Sequence, residues 1–153
     1  MANTQDDFLR RATAAAAQAE HIFPEYAACE AALESGWGLS QLAVLGNNLF
    51  GQKQRYGAPP GADTMTLPTR EYIKGAWVTT VAPWTKFPDW NACFHERMDL
   101  LMRLSHQYPH YKAALAARDG ETFIIQVSKT WSTDPDRAGK VLSLHDYHRF
   151  SFV

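Results

Sequence analysis

The sequence predicts an α+β domain in which a mostly helical body carries one small antiparallel β-hairpin lobe beside a cleft. Helical patterns fill both ends of the chain, and a short middle stretch is rich in β-branched and aromatic residues. The chain has 153 residues, of which 46% are hydrophobic, enough for one buried core. We therefore expect a single domain over residues 1–153, with a cleft between the two parts.

The helical segments are bounded by residues that commonly begin or end helices. Pro24 stands at a first-turn position, and Asp89 can cap the helix that follows it. That later helix places Phe94, Met98, Leu101 and Leu104 on one apolar stripe. Helices are predicted over residues 6–20, 24–34, 40–45, 90–105, 111–117, 121–129 and 135–144.

The hairpin lobe is predicted over about residues 66–87. Its strands are residues 69–73 and 77–81, and residues 74–76 form the turn between them. Residues 52–66 contain two prolines and two glycines without periodicity, which predicts an exposed loop before the lobe.

Composition argues against several classes of protein. The formal net charge is -1 and no Lys/Arg cluster is present, so a nucleic-acid partner is not expected. The amino-terminal segment is too short and too weakly apolar for a signal peptide or a membrane span, so we expect no membrane insertion.

No metal or other cofactor is predicted. His95-Glu96 lacks a second histidine four residues after the first, and His145 with His148 lacks a nearby third ligand. Cys29 and Cys93 show no paired ligand spacing, which favours two buried thiols over a zinc site and leaves their pairing open.

Glu34 is the leading candidate for a catalytic carboxylate. It lies in the last turn of a mostly buried helix, next to the glycines that flank Trp37 and before the turn Asn47–Gly51. Surroundings formed by Leu33, Trp37 and Phe50 would favour the protonated carboxyl, as a general acid at neutral pH requires.

Hydrolysis of an acetal needs a second carboxylate, and Glu71 in the first hairpin strand is the best candidate. The alternative is that Glu71 is a solvated cross-strand partner. Glu30 lies one turn before Glu34, and we expect it to act as a like-charged neighbour that favours the protonated form of Glu34.

Five tryptophans provide more aromatic surface than a small core requires, and flat rings suit sugar faces. Trp37 and Trp77 are the tryptophans most expected in the cleft. The full set of predicted substrate-binding residues is Trp37, Asn48, Phe50, Tyr72, Trp77 and Trp131.

The block Leu33-Glu-Ser-Gly-Trp-Gly, with Asn47-Asn-Leu-Phe-Gly51 and Lys53, resembles the glucosaminidase domain of glycoside hydrolase family 73. That family includes the flagellar rod-assembly hydrolase, bacterial autolysins and phage endolysins. The resemblance continues through Glu71-Tyr72 and Trp77-Val78 and ends with Thr133-Asp-Pro135.

The resemblance implies a lysozyme-like fold and cleavage of the β-1,4 bond after N-acetylglucosamine in peptidoglycan. The family's general acid corresponds to Glu34, and its second carboxylate corresponds to Glu71. Trp131 stands where members usually have a tyrosine, and Glu30 stands where a glutamine is common. Trp131 cannot offer a phenol, although it could still stack on a sugar.

Two alternatives to this hydrolase remain open. The Trp131 substitution also suits a catalytically silent peptidoglycan-binding or assembly module, and a lytic transglycosylase would share the single glutamate. Cleavage on the muramic acid side is excluded by the resemblance alone. Without a signal peptide, we expect the protein to reach the bacterial cell wall by phage-type lysis or non-classical secretion, with glycan strands as its partner.

Overall fold

The computed structural model describes residues 4–53 and 63–152, apart from the side chains of residues 63, 69, 71 and 72. Within these ranges the α+β prediction is confirmed, with helices on both sides of a two-stranded sheet in chain order. The helices are α1 Thr4–Gln18, α2 Pro24–Ser35, α3 Gln41–Gly46, α4 Trp90–Leu104, α5 Pro109–Leu115, α6 Gly120–Trp131 and α7 Arg137–Tyr147, followed by a 3-10 turn, Arg149–Phe152.

The helix ends follow the capping residues of the sequence. Side chains of Ser40, Asp89 and Asp119 accept hydrogen bonds from the first turns of α3, α4 and α6. Gly36 ends α2 in the left-handed region, at φ 57°. Among the described residues, no helix combines the length and apolarity that a membrane span requires.

The hairpin strands are longer than predicted. β1 (Asp63–Ile73) pairs antiparallel with β2 (Ala76–Lys86), from Asp63 opposite Lys86 to Ile73 opposite Ala76. Both strands contain a proline, which a two-stranded sheet tolerates because each strand has an unpaired edge. The turn is formed by two residues, Lys74 at φ 50° and Gly75 at φ 82°, both in the left-handed region.

The core lies in the helical body, and small residues let its helices approach closely. Alanines of α1 and α2 are fully buried, among them Ala12, Ala16, Ala28 and Ala31. Cys29 and Cys93 are buried free thiols, and burial raises the pKa of each to about 12. Their thiols are therefore packing groups rather than reactive ones.

The segment after α3 joins the helical body to the base of the hairpin. The side-chain amide of Asn48 donates to the carbonyls of Gln52 and Thr85, both at 2.8 Å. The Thr85 amide donates to the Gln52 carbonyl, and the Phe87 amide donates to the Gly46 carbonyl. These bonds fix the C-terminal end of β2 against the helical body.

The exposed loop predicted over residues 52–66 is only partly correct. Gln52 is buried and Lys53 bridges to Trp84, so the loop begins later than expected. At its other end, β1 already starts at Asp63. The part between these points lies outside the described residues.

Candidate active site

A cleft of about 650 Å³ runs between the helical body and the hairpin, a size that suits a small ligand. Helices α2, α4, α5 and α6, the segment after α3 and both strands contribute to it. Its described lining consists of Glu34, Phe50, Gly51, Gln52, Lys53, Arg70, Trp84, Leu100, Leu104, Tyr111, Trp131, Ser132 and Thr133. Glu34 is the one carboxylate among these described residues.

Glu34 reaches the cleft because α2 ends abruptly behind it. The Ser35 hydroxyl donates to the Ala31 carbonyl at 2.6 Å and accepts from the Gly38 amide at 2.8 Å. Gly38 has φ 79°, and a Cβ there would lie 3.1 Å from the ring of Phe8. The glycines around Trp37 therefore serve a tight helix end and a close approach to α1.

The carboxylate of Glu34 is held by an arginine that the sequence analysis did not single out. Arg137 at the start of α7 donates from Nε to Glu34 Oε1 at 2.9 Å. The Glu34 side chain is 26% exposed, whereas that of Arg137 is 1% exposed. The predicted apolar surroundings of Glu34 are therefore wrong on this side, where a guanidinium binds it.

Arg137 belongs to a charged cluster formed by Glu30, Glu34, Arg97 and Arg137, in which every member except Glu34 is buried. Arg97 binds Glu30 through two parallel hydrogen bonds, of 2.8 and 2.7 Å. Arg137 donates to the same carboxylate at 2.7 Å and to the Ser128 hydroxyl at 2.8 Å. Such bidentate, charge-assisted bonds fix both position and orientation.

Glu30 was predicted to act as a like-charged neighbour of Glu34, and that prediction left out the two arginines that bind Glu30. Burial by itself would raise the pKa of Glu30, but the guanidiniums of Arg97 and Arg137 outweigh it and lower that pKa to about 2. Burial would lower the pKa of Arg137, and the charges of Glu30 and Glu34 reverse that and raise it. The charge of Glu30 is thus compensated by two arginines.

His21 completes the inner side of the cluster as a neutral ring. Burial first, and then the charge of Arg97, lower its pKa to about 4. Its Nδ1 lies 2.7 Å from the Ile22 carbonyl, and its Nε2 lies 3.2 Å from Arg97 Nη1. A neutral ring with its proton on Nδ1 satisfies both contacts, since Nε2 must accept from the guanidinium.

Aromatic side chains that line the cleft also pack on Arg97 of this cluster. The guanidinium of Arg97 lies 4.5 Å from the ring of Phe50 and 4.4 Å from that of Trp131. Phe50 and Trp131 pack edge to face with their ring centroids 6.0 Å apart, and the ring centroids of Tyr111 and Trp131 are 6.3 Å apart. The rings that line the cleft therefore pack directly on the charges behind them.

The structure brings Glu34, Phe50 and Trp131 together in the cleft, but it places three other predicted residues elsewhere. Trp37 packs against Phe8 and His148, on a different groove between α2 and α7. Asn48 is buried in the joint between body and hairpin. Trp77 is 63% exposed near the hairpin turn and is absent from the cleft lining.

Glu71 and Tyr72 lie in β1, opposite Val78 and Trp77 of β2. Their side chains lie outside the described part of the structure. The predicted roles of both residues therefore stay predictions.

Sequence reasoning missed several residues of the site, namely Gln52, Trp84, Arg97, Tyr111 and Arg137. Arg97 had a usable signal, because it falls between Phe94 and Leu101 on the buried face of α4. A charged residue on an apolar stripe requires a buried partner. Trp84 and Arg137 carried no comparable pattern.

No group of three or more His, Cys, Asp or Glu side chains in the described ranges could hold a metal ion. The site offers instead a carboxylate, guanidiniums and aromatic rings. This set of groups can transfer a proton and bind an uncharged polar ligand with flat faces.

Comparison with known proteins agrees with this arrangement. The glucosaminidase family model, described as mannosyl-glycoprotein endo-beta-N-acetylglucosaminidase, matches residues 10–149. The chain is 32% identical over 126 residues to the exo-glucosaminidase LytG of Bacillus subtilis (strain 168), which covers 81% of this chain and 43% of LytG. It is 27% identical over 158 residues to a probable N-acetylmuramidase of Lactococcus lactis subsp. cremoris, covering 97% of this chain and 35% of that relative.

The chain thus spans less than half the length of these two relatives. Among solved structures, the catalytic domain of the autolysin Auto from Listeria monocytogenes superposes with a TM-score of 0.84 at 24% identity. The match covers 99% of this chain and 88% of that one. The lysozyme-like fold implied by the resemblance is confirmed, and the chain belongs to the glucosaminidase family, glycoside hydrolase family 73.

Proposed function

We propose that this protein is a peptidoglycan hydrolase that cleaves the β-1,4 glycosidic bond after N-acetylglucosamine, with Glu34 as general acid. The observation that carries the proposal is the position of Glu34, a partly exposed carboxylate in the cleft between helical body and hairpin. Membership of the glucosaminidase family supports the same chemistry.

In the proposed mechanism Glu34 gives its proton to the glycosidic oxygen as the bond to the anomeric carbon breaks. Positive charge then develops on the sugar ring, and a second group must stabilise it or activate water. We assign this role to Glu71, because β1 contributes Arg70 to the cleft and the resemblance implies that the family's second carboxylate corresponds to Glu71.

The cleft also suits the proposed substrate. Trp84 and Trp131 offer flat apolar faces for sugar rings, and Phe50 packs edge to face with Trp131. The remaining polar groups, among them Gln52 and Tyr111, can hydrogen-bond to hydroxyl or acetamido groups. We therefore propose that the protein acts on glycan strands of the bacterial cell wall.

The primary test is Glu34→Gln, which keeps the shape of the side chain and removes its transferable proton. We expect the release of new reducing ends from purified peptidoglycan to fall by about 100-fold or more. Glu25→Gln is the matched control, because it neutralises a carboxylate in the first turn of the same helix. If Glu34→Gln stays folded and fully active, Glu34 is not the acid.

A second candidate, cleavage after N-acetylmuramic acid, is favoured by the Lactococcus relative, which is named a probable N-acetylmuramidase. Mass spectrometry of the digested glycan separates the candidates. Reducing N-acetylglucosamine ends support the proposal, whereas reducing muramic acid ends support the alternative. Anhydro ends would indicate a transglycosylase, and binding without any cleavage would indicate a silent module.

A further inference from the structure

Three donor groups of one side chain fix the guanidinium of Arg137. Its Nε binds Glu34 at 2.9 Å, one terminal nitrogen binds Ser128 at 2.8 Å and the other binds Glu30 at 2.7 Å. The three acceptors come from α2 and α6, whereas Arg137 begins α7. The guanidinium plane therefore has little freedom to rotate.

The anchor of Arg137 is itself fixed. Glu30 is held by the bidentate contact with Arg97, whose guanidinium packs against the rings of both Phe50 and Trp131. Both rings line the cleft, so a connected series of contacts runs from the cleft wall back to Glu34. Small displacements of a reacting group cost much activity, and this series resists them.

We propose that Arg137 is the positioning residue for Glu34, holding it by Oε1 so that Oε2 carries the proton given to the glycosidic oxygen. Among the described residues Oε2 of Glu34 has no hydrogen-bond partner, and the side chain lines the cleft. This inference rests on the proposed function, since it needs Glu34 as the acid.

The charges of the cluster balance one another around Glu34. Glu30, Glu34, Arg97 and Arg137 carry two negative and two positive charges when both carboxylates are ionised. Glu30 shares the charge of Arg137, which would otherwise act on Glu34 alone. The other charged or titratable described groups that line the cleft with Glu34 are Lys53, Arg70 and Tyr111.

Glu30 and Arg137 should therefore affect the pH dependence of activity in opposite directions. Glu30→Gln leaves the charge of Arg137 acting on Glu34 without compensation, so the ionised form of Glu34 is stabilised. Arg137→Gln removes the cation and leaves the negative charge of Glu30 nearby, so the protonated form of Glu34 is stabilised. A purely structural role would not produce opposite shifts.

The first measurement is the steady-state kinetics of soluble peptidoglycan fragments with Arg137→Gln and Arg137→Lys. We expect Arg137→Gln to lower kcat by about 100-fold with KM nearly unchanged, because the acid is displaced while the cleft remains. Arg137→Lys keeps the charge and should restore part of kcat. Lys140→Gln is the matched control, since it removes one exposed positive charge from the same helix.

The second measurement is the pH profile of kcat/KM. We expect its upper limb to move down by about one pH unit in Glu30→Gln and up by a similar amount in Arg137→Gln. Lys140→Gln should leave the limb in place. Shifts in the same direction, or an unchanged kcat in Arg137→Gln, would overturn the proposal.

Arg137 is buried, so Arg137→Gln can also impair folding. Ser128→Ala removes only one acceptor of the guanidinium, and we expect a folded protein with a several-fold lower kcat. NMR titration of the Glu34 carboxyl in wild type and Glu30→Gln reads the coupling without any turnover. If wild type is inactive but the Glu34 titration shifts as predicted, the proposed function fails and the proposal that Arg137 positions Glu34 is kept. An unshifted titration would overturn that proposal.

Discussion

The helical body and the hairpin lobe both line the cleft, yet they are built in different ways. In the body, Glu30 and Arg97 are fully buried and bind each other with two hydrogen bonds. In the hairpin, Trp77 and Val81 are mostly exposed, and the strands pair only with each other along most of their length. The helical body is stabilised by contacts between buried side chains, and the hairpin by hydrogen bonds between its two strands.

This difference separates stability from ligand contact. Substitutions in the buried cluster should reduce stability and activity together, because the same bonds fold the body and hold Glu34. Substitutions on the hairpin should change ligand contact with little effect on folding, since exposed side chains contribute little to stability. Substitutions in each region and a change of pH test that separation.

The largest effect is expected from Arg97→Leu. It leaves the buried carboxylate of Glu30 with one arginine instead of two, and breaking a buried pair costs about 3–5 kcal/mol. Arg103→Leu is the control on the same helix, because its ion pairs with Glu96 and Asp99 are partly exposed and worth about 1 kcal/mol or less. Urea unfolding gives the loss in free energy of unfolding for both variants. Equal losses would show that the buried ion pairs contribute no more to stability than the partly exposed ones.

Acid should destabilise the body through Glu30. Its pKa is lowered in the folded protein, so the stability it contributes is fully present above its ordinary value of 4.5 and is lost as the pH falls towards about 2. We expect the free energy of unfolding to fall across that window. The Glu30→Gln variant should start from a lower stability and fall less steeply, and parallel curves for the two proteins would contradict the assignment.

Trp77→Ala tests the hairpin. Because Trp77 is largely exposed, the free energy of unfolding should change by only about 0.5 kcal/mol. Arg70 lies 5.1 Å from its ring and also lines the cleft, so loss of the ring should raise KM for peptidoglycan fragments several-fold. Val81→Ala is the control for a generic loss of hairpin surface. A large loss of stability in Trp77→Ala would end the separation of the two regions.

The smallest effect is expected at the hairpin turn. Lys74 adopts φ 50°, which asparagine tolerates better than lysine, and the following Gly75 is already suited to its φ of 82°. Lys74→Asn should stabilise the hairpin by a few tenths of a kcal/mol. Slower hydrogen exchange of hairpin amides, with unchanged exchange in α2, would be the expected result; faster exchange would contradict it.

Much of the fold could be predicted because its signals are local. Pro24, Asp89 and Asp119 mark helix starts, and each stands at or next to the first residue of the observed helix. The hairpin strands were predicted too short, since the prediction relied on the β-branched and aromatic residues next to the turn. The loop before the hairpin was predicted too long, because nothing local marks the burial of Gln52.

The site was less predictable than the fold. Glu34 and Trp131 stand out by their neighbours in sequence, whereas Trp84 and Tyr111 reach the cleft only through packing. Trp37 is the opposite case, because it stands three residues from Glu34 in sequence and yet packs on another surface. Neighbours at the end of a helix point in different directions once the chain turns at Gly36.

Capping and periodicity act over a few residues, so the sequence alone predicts where α2 ends and that a carboxylate stands in its last turn. Which charge meets that carboxylate depends on how distant parts of the chain pack together. Arg137 is separated from Glu34 by 103 positions in the sequence, and Arg97 from Glu30 by 67. A buried charge must find a partner, but the choice among many arginines depends on how the helices pack.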